Sequence, residues 1–146
     1  MSATEITNLL YRYAELMDAG EFVQIAALFE HAKIRLSGNE FLVGNDELLG
    51  VWQRYVKTYS CGIPRTKHLI TNPIVEVDDI LGVATCRSYY TVLQATDDLP
   101  LQVIAAGRYH DEFARVDGKW RFSYRDYSLL DLRGNLSSHL TQAFGL

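Results

Sequence analysis

The sequence AGRYHDEFARVDGKWRFSYR, residues 106–125, is the strongest indicator of the fold class. Apolar and polar side chains alternate with period two on both sides of Asp117-Gly118, a dipeptide typical of tight hairpin turns. The pattern predicts a strand over residues 101–116 and a return strand over residues 119–132. Two such strands need a covering layer, because a sheet buries its apolar face against another element.

The rest of the chain supplies further strands, with helices ahead of most of them. Alternating or β-rich runs predict four more strands, at residues 32–38, 41–44, 67–77 and 82–95. Pro73 interrupts the third of these runs and is expected at a bulge or a sheet edge. Since helices precede a long antiparallel meander, we expect an α+β fold. Its N-terminal helices would pack on a strongly curved, mostly antiparallel sheet that encloses a pocket, as a cone with one open mouth.

Three helices are predicted from apolar periodicity and end signals. The first begins at a Ser2–Glu5 capping box and is broken by Gly20. The second covers residues 22–29, and the third covers residues 47–60 with its N-cap at residues 45–46.

Composition excludes several classes of protein. The chain suits one domain, residues 1–146, with 48% hydrophobic and 22% charged side chains. A net charge of −4 without a lysine or arginine run argues against a nucleic-acid partner. No apolar stretch approaches the roughly 20 residues of a membrane helix, and no signal-peptide pattern is visible, so we expect a cytoplasmic protein. Cys61 and Cys86 are isolated and are expected to be buried free thiols.

Among the four histidines, His68 has the strongest case for a functional role. It lies at the start of a predicted strand directly after a loop, outside any polar or continuous apolar run. His31 lies in a turn, His139 in the polar tail, and His110 alternates with Tyr109, so that one of these two faces away from a pocket. A lone histidine is more often a structural hydrogen-bonding group than a catalyst, so both roles stay open for His68.

Asp18 is an acid at the C-terminal end of the first helix, where the helix dipole disfavours negative charge. Asp18 and Glu21 have the D-x-x-E spacing of a capping box for the next helix, which is one explanation. The other is that the carboxylate meets a cationic group from elsewhere. A carboxylate beside an imidazole fixes the tautomer of the ring and stabilises its protonated form, and His68 is the candidate partner. No spacing in the chain indicates a metal site.

Three stretches resemble the NTF2-like superfamily. They are LMDAGEFVQIAALF at residues 16–29, RTKHLITN at residues 65–72, and the hairpin at residues 106–125. Within the superfamily they are similar to the SnoaL-like group, which contains scytalone dehydratase, the hexachlorocyclohexane dehydrochlorinases and bile-acid dehydratases. The resemblance runs from about residue 5 to about residue 135. It places the catalytic aspartate of the group on Asp18 and the catalytic histidine on His68.

The resemblance implies a base dyad and a set of substrate-binding residues. His68 would remove a proton next to an activated carbon, and Asp18 would orient its ring. Tyr13 matches an active-site tyrosine of the bile-acid dehydratases, and Arg125 matches a pocket arginine of the dehydrochlorinases. Tyr13 or Tyr109 would donate a hydrogen bond to a developing oxyanion, or polarise a leaving hydroxyl. Arg125 would hold an anionic or carbonyl group of the substrate.

Each binding role has a structural alternative, and the chain departs from its relatives in residues that would contact substrate. The tyrosines could equally be core residues, and Arg125 could form a cross-strand pair with Asp126, Asp111 or Glu112. The dehydrochlorinases carry a lysine at the position of Tyr13. The second histidine, the serine and the asparagine of scytalone dehydratase are not reproduced. Their positions fall near Val92 or Leu93, and on Gly107 and Tyr109. The resemblance therefore does not transfer a substrate.

These observations predict a cofactor-independent lyase or isomerase, of dehydratase or cyclase type, acting through Asp18 and His68 on a small hydrophobic molecule, cyclic molecules included. No cofactor and no metal are expected. One alternative is a non-catalytic domain that binds a small molecule in the same cone. Another is an assembly subunit resembling the β subunits of ring-hydroxylating dioxygenases, which usually run longer. A homodimer or homotrimer is expected, because exposed backs of curved sheets commonly pair.

Overall fold

The computed structural model describes residues 1–141, apart from the side chains of residues 40, 42 and 43. The helices in this range are α1 (Ser2–Asp18), α2 (Phe22–Leu28) and α3 (Asn45–Tyr55). The strands are β1 (Lys33–Ser37), β2 (Glu40–Val43), β3 (Thr66–Asp78), β4 (Val83–Thr96), β5 (Leu99–Val116), β6 (Lys119–Asp126) and β7 (Leu130–Arg133).

The strands form one curled sheet in the order β2-β1-β6-β5-β4-β3, and β7 pairs with β5 beside this path. The pair of β1 with β6 is parallel, and the other pairs are antiparallel. The helices cover the concave face. The predicted α+β cone with a mostly antiparallel sheet is therefore confirmed.

Helix α1 is placed by its apolar stripe. Ile6, Leu10, Tyr13 and Met17 follow one another at helical spacing and are each at most 2% exposed. This stripe packs on β3 and β6 inside the curl of the sheet. The predicted hairpin turn at Asp117-Gly118 joins β5 to β6, with both residues at positive φ.

Pro73 lies where predicted. The register of β3 against β4 shifts between Thr71 and Ile74, which is a bulge, and β3 is also an edge strand. The bulge follows from proline, because its nitrogen cannot donate to the ladder.

The helix ends differ from the predictions. Ser2 lies inside α1 and donates from its hydroxyl to Asp79 at 2.8 Å, so the predicted capping box is wrong. Helix α3 begins at Asn45 after Gly44, without a side-chain cap. It ends at Tyr55 rather than near residue 60, because Val56 is extended and bridges Leu140.

The predicted return strand over residues 119–132 is two strands. The chain leaves the sheet after Asp126, whose carboxylate accepts hydrogen bonds from the backbone N–H and the hydroxyl of Ser128 at 2.8 and 2.6 Å. This Asx turn replaces ladder pairing locally, and the chain rejoins the sheet as β7.

Both cysteines are free thiols, as predicted, but Cys61 is exposed and only Cys86 is buried. The prediction of burial was wrong for Cys61 because it lies in the loop after α3 rather than in an element. In the part of the chain that the structure describes, none of the helices is both long enough and apolar enough to cross a bilayer.

Candidate active site

The carboxylate of Asp18 lies against the first residues of β3. Its Oδ1 is 2.6 Å from His68 Nδ1 and accepts a hydrogen bond from the Thr66 hydroxyl at 2.9 Å. Its Oδ2 accepts the backbone N–H of His68 at 2.8 Å. The side chains of His68 and Asp18 are only 5% and 11% exposed. The two residues that the sequence singled out are therefore in direct contact.

The end of α1 is held where this contact requires it. Gly20 has φ +70, and a Cβ at this position would collide with the carbonyl oxygen of Gly62. The helix therefore ends just before a residue in the left-handed conformation. Because this residue has no side chain, the loop before β3 can approach it closely. Asp18 does not cap α2, whose N-cap is Glu21 with no side-chain hydrogen bond.

Hydrogen bonding keeps Asp18 ionised. Burial raises the pKa of its carboxyl, but the hydrogen bonds and charge of His68, together with the Thr66 hydroxyl, outweigh burial and lower the pKa below its usual value. An ionised Asp18 can only accept a hydrogen bond, so the ring proton of a neutral His68 is on Nδ1, which donates to the carboxylate. The other ring nitrogen, Nε2, is then unprotonated in the neutral ring.

His68 lines a cavity of about 110 Å³ between the sheet and the helices. The wall is mostly apolar and rich in aromatic rings. Besides His68, it is formed by Tyr13, Met17, Leu36, Trp52, Val56, Tyr90, Val92, Ala105, Tyr109, Tyr127, Leu130, Leu136, His139 and Leu140. Such a lining suits a small apolar molecule with a few polar groups.

The predicted tyrosines Tyr13 and Tyr109 both belong to this wall and are 2% and 3% exposed. The Tyr13 hydroxyl is hydrogen-bonded to that of Tyr127 at 3.0 Å, and Tyr109 stacks on Tyr90 with ring centroids 4.4 Å apart. Burial raises the pKa of Tyr13, Tyr109 and Tyr127 well above the usual value, although Arg125 opposes the shift. These phenols therefore stay neutral and can act as hydrogen-bond donors.

Arg125 lies behind the tyrosines and does not line the cavity. Its guanidinium donates twice to the Asp111 carboxylate, at 2.7 and 2.9 Å, and both side chains are 0% exposed. Burial disfavours its charge, but Asp111 outweighs burial and raises the pKa of Arg125. Nε and Nη2 of Arg125 thus form the cross-strand pair with Asp111 on β5 that the sequence offered as the alternative to a substrate contact.

Arg125 still influences the wall. Its guanidinium carbon lies 3.8 Å from the centre of the Tyr109 ring and 4.4 Å from that of Tyr13. The attraction between the Arg125 cation and the faces of these two rings stabilises their arrangement. Arg125 therefore contacts two of the tyrosines that form the cavity wall.

His139 was predicted to lie in a polar tail, and this is wrong. Its side chain lines the cavity, with its ring centroid 6.1 Å from that of His68. Burial, with a smaller contribution from His68, lowers its pKa to about 3, so the ring is neutral. The spacing of Leu136, His139 and Leu140 was an available signal, because one helical turn presents such residues on one face.

Other cavity residues carried no signal of their own in the sequence. Trp52, Tyr90 and Tyr127 line the wall, and the sequence singled out none of them as a candidate functional residue. Within residues 1–141, no three histidine, cysteine, aspartate or glutamate side chains gather in an arrangement that suits a metal ion.

A family model for the SnoaL-like domain matches residues 2–126, which is most of the chain. No protein with curated annotation matches it.

Solved structures resemble the chain over most of its length. A protein of unknown function from Mycobacterium tuberculosis is 27% identical, with a TM-score of 0.71, and the match covers 89% of this chain and 72% of that one. An NTF2-like protein with a cystatin-like fold from Novosphingobium aromaticivorans is 20% identical, with a TM-score of 0.72 and coverage of 93% and 85%. A candidate scytalone dehydratase from the same organism is 22% identical, with a TM-score of 0.68 and coverage of 90% and 85%. The last two likenesses show the fold alone.

The same fold occurs in a subunit of a larger enzyme. The β subunit of a candidate aromatic-ring-hydroxylating dioxygenase from Novosphingobium aromaticivorans is 16% identical, with a TM-score of 0.70 and coverage of 93% of this chain and 94% of that one. The predicted resemblance to NTF2-like proteins of the SnoaL-like group is confirmed by the family match and by these folds.

Proposed function

The chain belongs to the SnoaL-like domain family, and from this premise we propose that it is a cofactor-independent lyase or isomerase, of dehydratase or cyclase type. Its substrate is a small hydrophobic molecule, cyclic molecules included. Its base is His68, oriented by Asp18. Proton removal from a carbon next to an activating group is followed by elimination, isomerisation or ring closure.

The observation that carries the proposal is the 2.6 Å contact between Asp18 and His68 in the wall of an apolar cavity. A binding domain gains nothing from an ionised carboxylate that fixes a histidine tautomer. A general base works better with such a carboxylate, because one ring nitrogen must be unprotonated before the reaction and the imidazolium must be stabilised afterwards.

Tyr13 and Tyr109 are proposed as the donors to the oxygen that becomes negative. Both hydroxyls belong to neutral phenols in a low-dielectric wall, where a hydrogen bond to a developing charge has its greatest effect. The Tyr127 hydroxyl contacts that of Tyr13 and would hold its orientation. Arg125 has no direct contact with substrate in this scheme.

The experiment uses 5-nitrobenzisoxazole, a small aromatic compound that reports on carbon-bound proton removal. A base takes the proton from carbon, the N–O bond breaks, and the released electron pair forms a coloured phenolate. We expect the wild type to accelerate this reaction over buffer, and His68→Gln to lower the enzymatic rate by about 100-fold or more. His110→Gln is the matched control, since His110 is exposed on the outer face of β5. Equal rates for the wild type and His68→Gln would overturn the proposal and favour the non-catalytic binding domain.

We also propose that the chain forms a homodimer or a homotrimer. Apolar side chains are exposed on the back of the sheet, and they lie on four neighbouring strands: Leu69, Tyr89, Leu101, Val103 and Leu132. A patch of this kind is typical of an interface. Light scattering should give the mass of a homodimer or homotrimer for the purified chain. A monomer that requires a second kind of chain for stability would instead favour the assembly subunit.

A further inference from the structure

A second pocket adjoins the cavity that His68 lines, and two leucines belong to both. Leu136 and Leu140 line the cavity, and they also line this outer pocket, which we call the vestibule. A molecule that extends out of the cavity past these two leucines would therefore enter the vestibule. Its other lining residues are Lys57, Arg133, Gly134, Asn135, Ser137 and Thr141.

Arg133, the last residue of β7, lies on the cavity side of the sheet. It pairs with Ala105 of β5, which lines the cavity, and directly paired residues of neighbouring strands point to the same face. Leu132 pairs with Ala106 and is 70% exposed on the opposite face. Arg133 is exposed, and its guanidinium has no ion pair or hydrogen bond with any residue in the range 1–141. A cation without a protein partner therefore lies at the rim of the cavity.

Lys57 reaches the vestibule from the end of α3. It follows Val56, a residue of the cavity wall, and its ammonium donates to the Ser137 carbonyl at 2.7 Å. An ammonium has further N–H groups to donate. The side-chain carbonyl of Asn135 accepts the backbone N–H and the hydroxyl of Ser137 at 3.1 and 2.6 Å, which leaves its NH₂ group as another donor. The vestibule therefore offers hydrogen-bond donors on three side chains.

The charge of the vestibule is opposite to that of the whole chain. The chain has 18 acidic and 14 basic residues and a net charge of −4. Among the described residues, no aspartate or glutamate lines the vestibule or the cavity. The vestibule is therefore a positive region on an acidic protein, and such a region attracts anions.

We propose that the vestibule is an anion site, and that the substrate joins an apolar part in the cavity to a carboxylate or phosphate group bound by Lys57 and Arg133. This inference rests on the proposed function, because it specifies the substrate class for the same cavity. Ammonium and guanidinium groups bind both anions through charge-assisted hydrogen bonds.

The anion would orient the substrate without taking part in the reaction. Lys57 and Arg133 line the vestibule and not the cavity, whereas His68 lines the cavity and not the vestibule. Binding of a remote charged group fixes which end of the molecule enters the cavity, and thereby which carbon faces the base. The two cations are therefore binding residues, and the chemistry stays with Asp18 and His68.

The test compares 3-phenylpropanoate with 3-phenylpropanamide, which has nearly the same shape and no charge. At low salt we expect the wild type to bind the carboxylate at least about tenfold more tightly, which corresponds to one hydrogen bond between charged groups. Salt at about 0.5 M should reduce this preference by screening. 2-Phenylethyl phosphate distinguishes the two anions. Tighter binding than the carboxylate would assign a phosphate to the substrate, and weaker binding would assign a carboxylate.

Variants of the vestibule locate the anion. Arg133→Gln and Lys57→Met should each lower the preference for the carboxylate, and Arg133→Glu should reverse it. The affinity for 3-phenylpropanamide should stay at the wild-type value, which shows that the variants are folded and that the cavity is intact. Lys119→Gln is the matched control, because it removes one exposed positive charge outside both pockets and should keep the preference.

Calorimetry measures these affinities without turnover, so the result is independent of the proposed reaction. Equal affinities of the wild type for the carboxylate and the amide would overturn the anion site, and so would a preference that Arg133→Glu leaves in place. His68→Gln should retain the preference for the carboxylate. Failure of the proposed base would therefore change only the rates with 5-nitrobenzisoxazole, and failure of the anion site would change only these affinities.

Discussion

Asp18 meets His68 at two points, through the backbone N–H at 2.8 Å and through ring Nδ1 at 2.6 Å. The backbone contact joins the end of α1 to the start of β3, independently of the ring. The ring contact sets the tautomer. Structural and chemical roles of one carboxylate can therefore be separated by substitution.

The first prediction concerns Asp18→Asn. The Asn carbonyl would accept the backbone N–H of His68, and the NH₂ group would face Nδ1, so the ring proton moves to Nε2 and the base is lost. We expect proton removal from 5-nitrobenzisoxazole to fall by about 100-fold or more, with little change in thermal stability. Nitrogen chemical shifts of His68 should report the exchanged tautomer.

Two controls delimit this prediction. Asp131→Asn changes an exposed acid outside the cavity and should leave the rate unchanged. Asp18→Ala removes all three hydrogen bonds and should destabilise the fold as well as the reaction. An Asp18→Asn variant with full activity would contradict the role given to the carboxylate.

The second prediction concerns the pH dependence of stability. Burial lowers the pKa of His139 to about 3, against about 6.5 in the unfolded chain. Between these values the unfolded chain binds more protons, so the free energy of unfolding falls as the pH falls from about 6.5 towards 3. The loss is up to about 1.4 kcal/mol per pH unit. His68 adds to the shift by charge repulsion, and the Asp18 carboxylate opposes it.

Urea unfolding at pH 7, 6 and 5 measures this slope. His139→Phe should flatten it, while His110→Gln, at an exposed position, should not. Asp18 affects stability in a lower pH range. Because folding lowers the pKa of its carboxyl, the stability that it contributes is lost only as the pH falls below about 4. Identical slopes for the wild type and His139→Phe would exclude a buried neutral imidazole.

Local sequence patterns predict the elements that depend on interactions between neighbouring residues. The Asp117-Gly118 turn follows from two residues that tolerate positive φ, and α1 follows from its apolar spacing. The unfavourable position of Asp18 at a helix end left a cap and a partner open, and the family resemblance was needed to pair it with His68.

Other features depend on contacts between distant residues and were not predictable in this way. The sequence after Asp126 carries no glycine, proline or other strand-ending signal before residue 132, and only the Asx turn with Ser128 shows where the strand ends. The spacing of Leu136, His139 and Leu140 indicated a buried face, but only the contacts of the segment with Lys57 and Gln94 show that this face lies at the cavity. The role of Arg125 likewise depended on which acid it faced across the strands.

The third prediction compares a buried with an exposed ion pair. Asp111→Asn removes the charge that offsets a fully buried guanidinium, so we expect a loss of about 3–5 kcal/mol in the free energy of unfolding. Arg108 and Asp131 are about 40% exposed at similar distances, and Asp131→Asn should cost less than about 1 kcal/mol. Chemical denaturation of both variants gives the comparison, and equal losses would contradict the assigned burial of Arg125.

The fourth prediction concerns Gly107, the residue of β5 that pairs with Leu130 of β7. A Cβ there would collide with the carbonyl oxygen of Leu129 and lie 2.7 Å from the Tyr90 hydroxyl. Gly107→Ala should therefore destabilise the fold by about 1–3 kcal/mol and displace Tyr90. Gly50→Ala is the matched control. Gly50 is an exposed position of α3 with no atom within 4 Å of a new Cβ, so alanine should stabilise the helix by about 0.5–1 kcal/mol. Opposite signs in thermal unfolding are expected, and a neutral Gly107→Ala would show that the β5–β7 contact is looser than described.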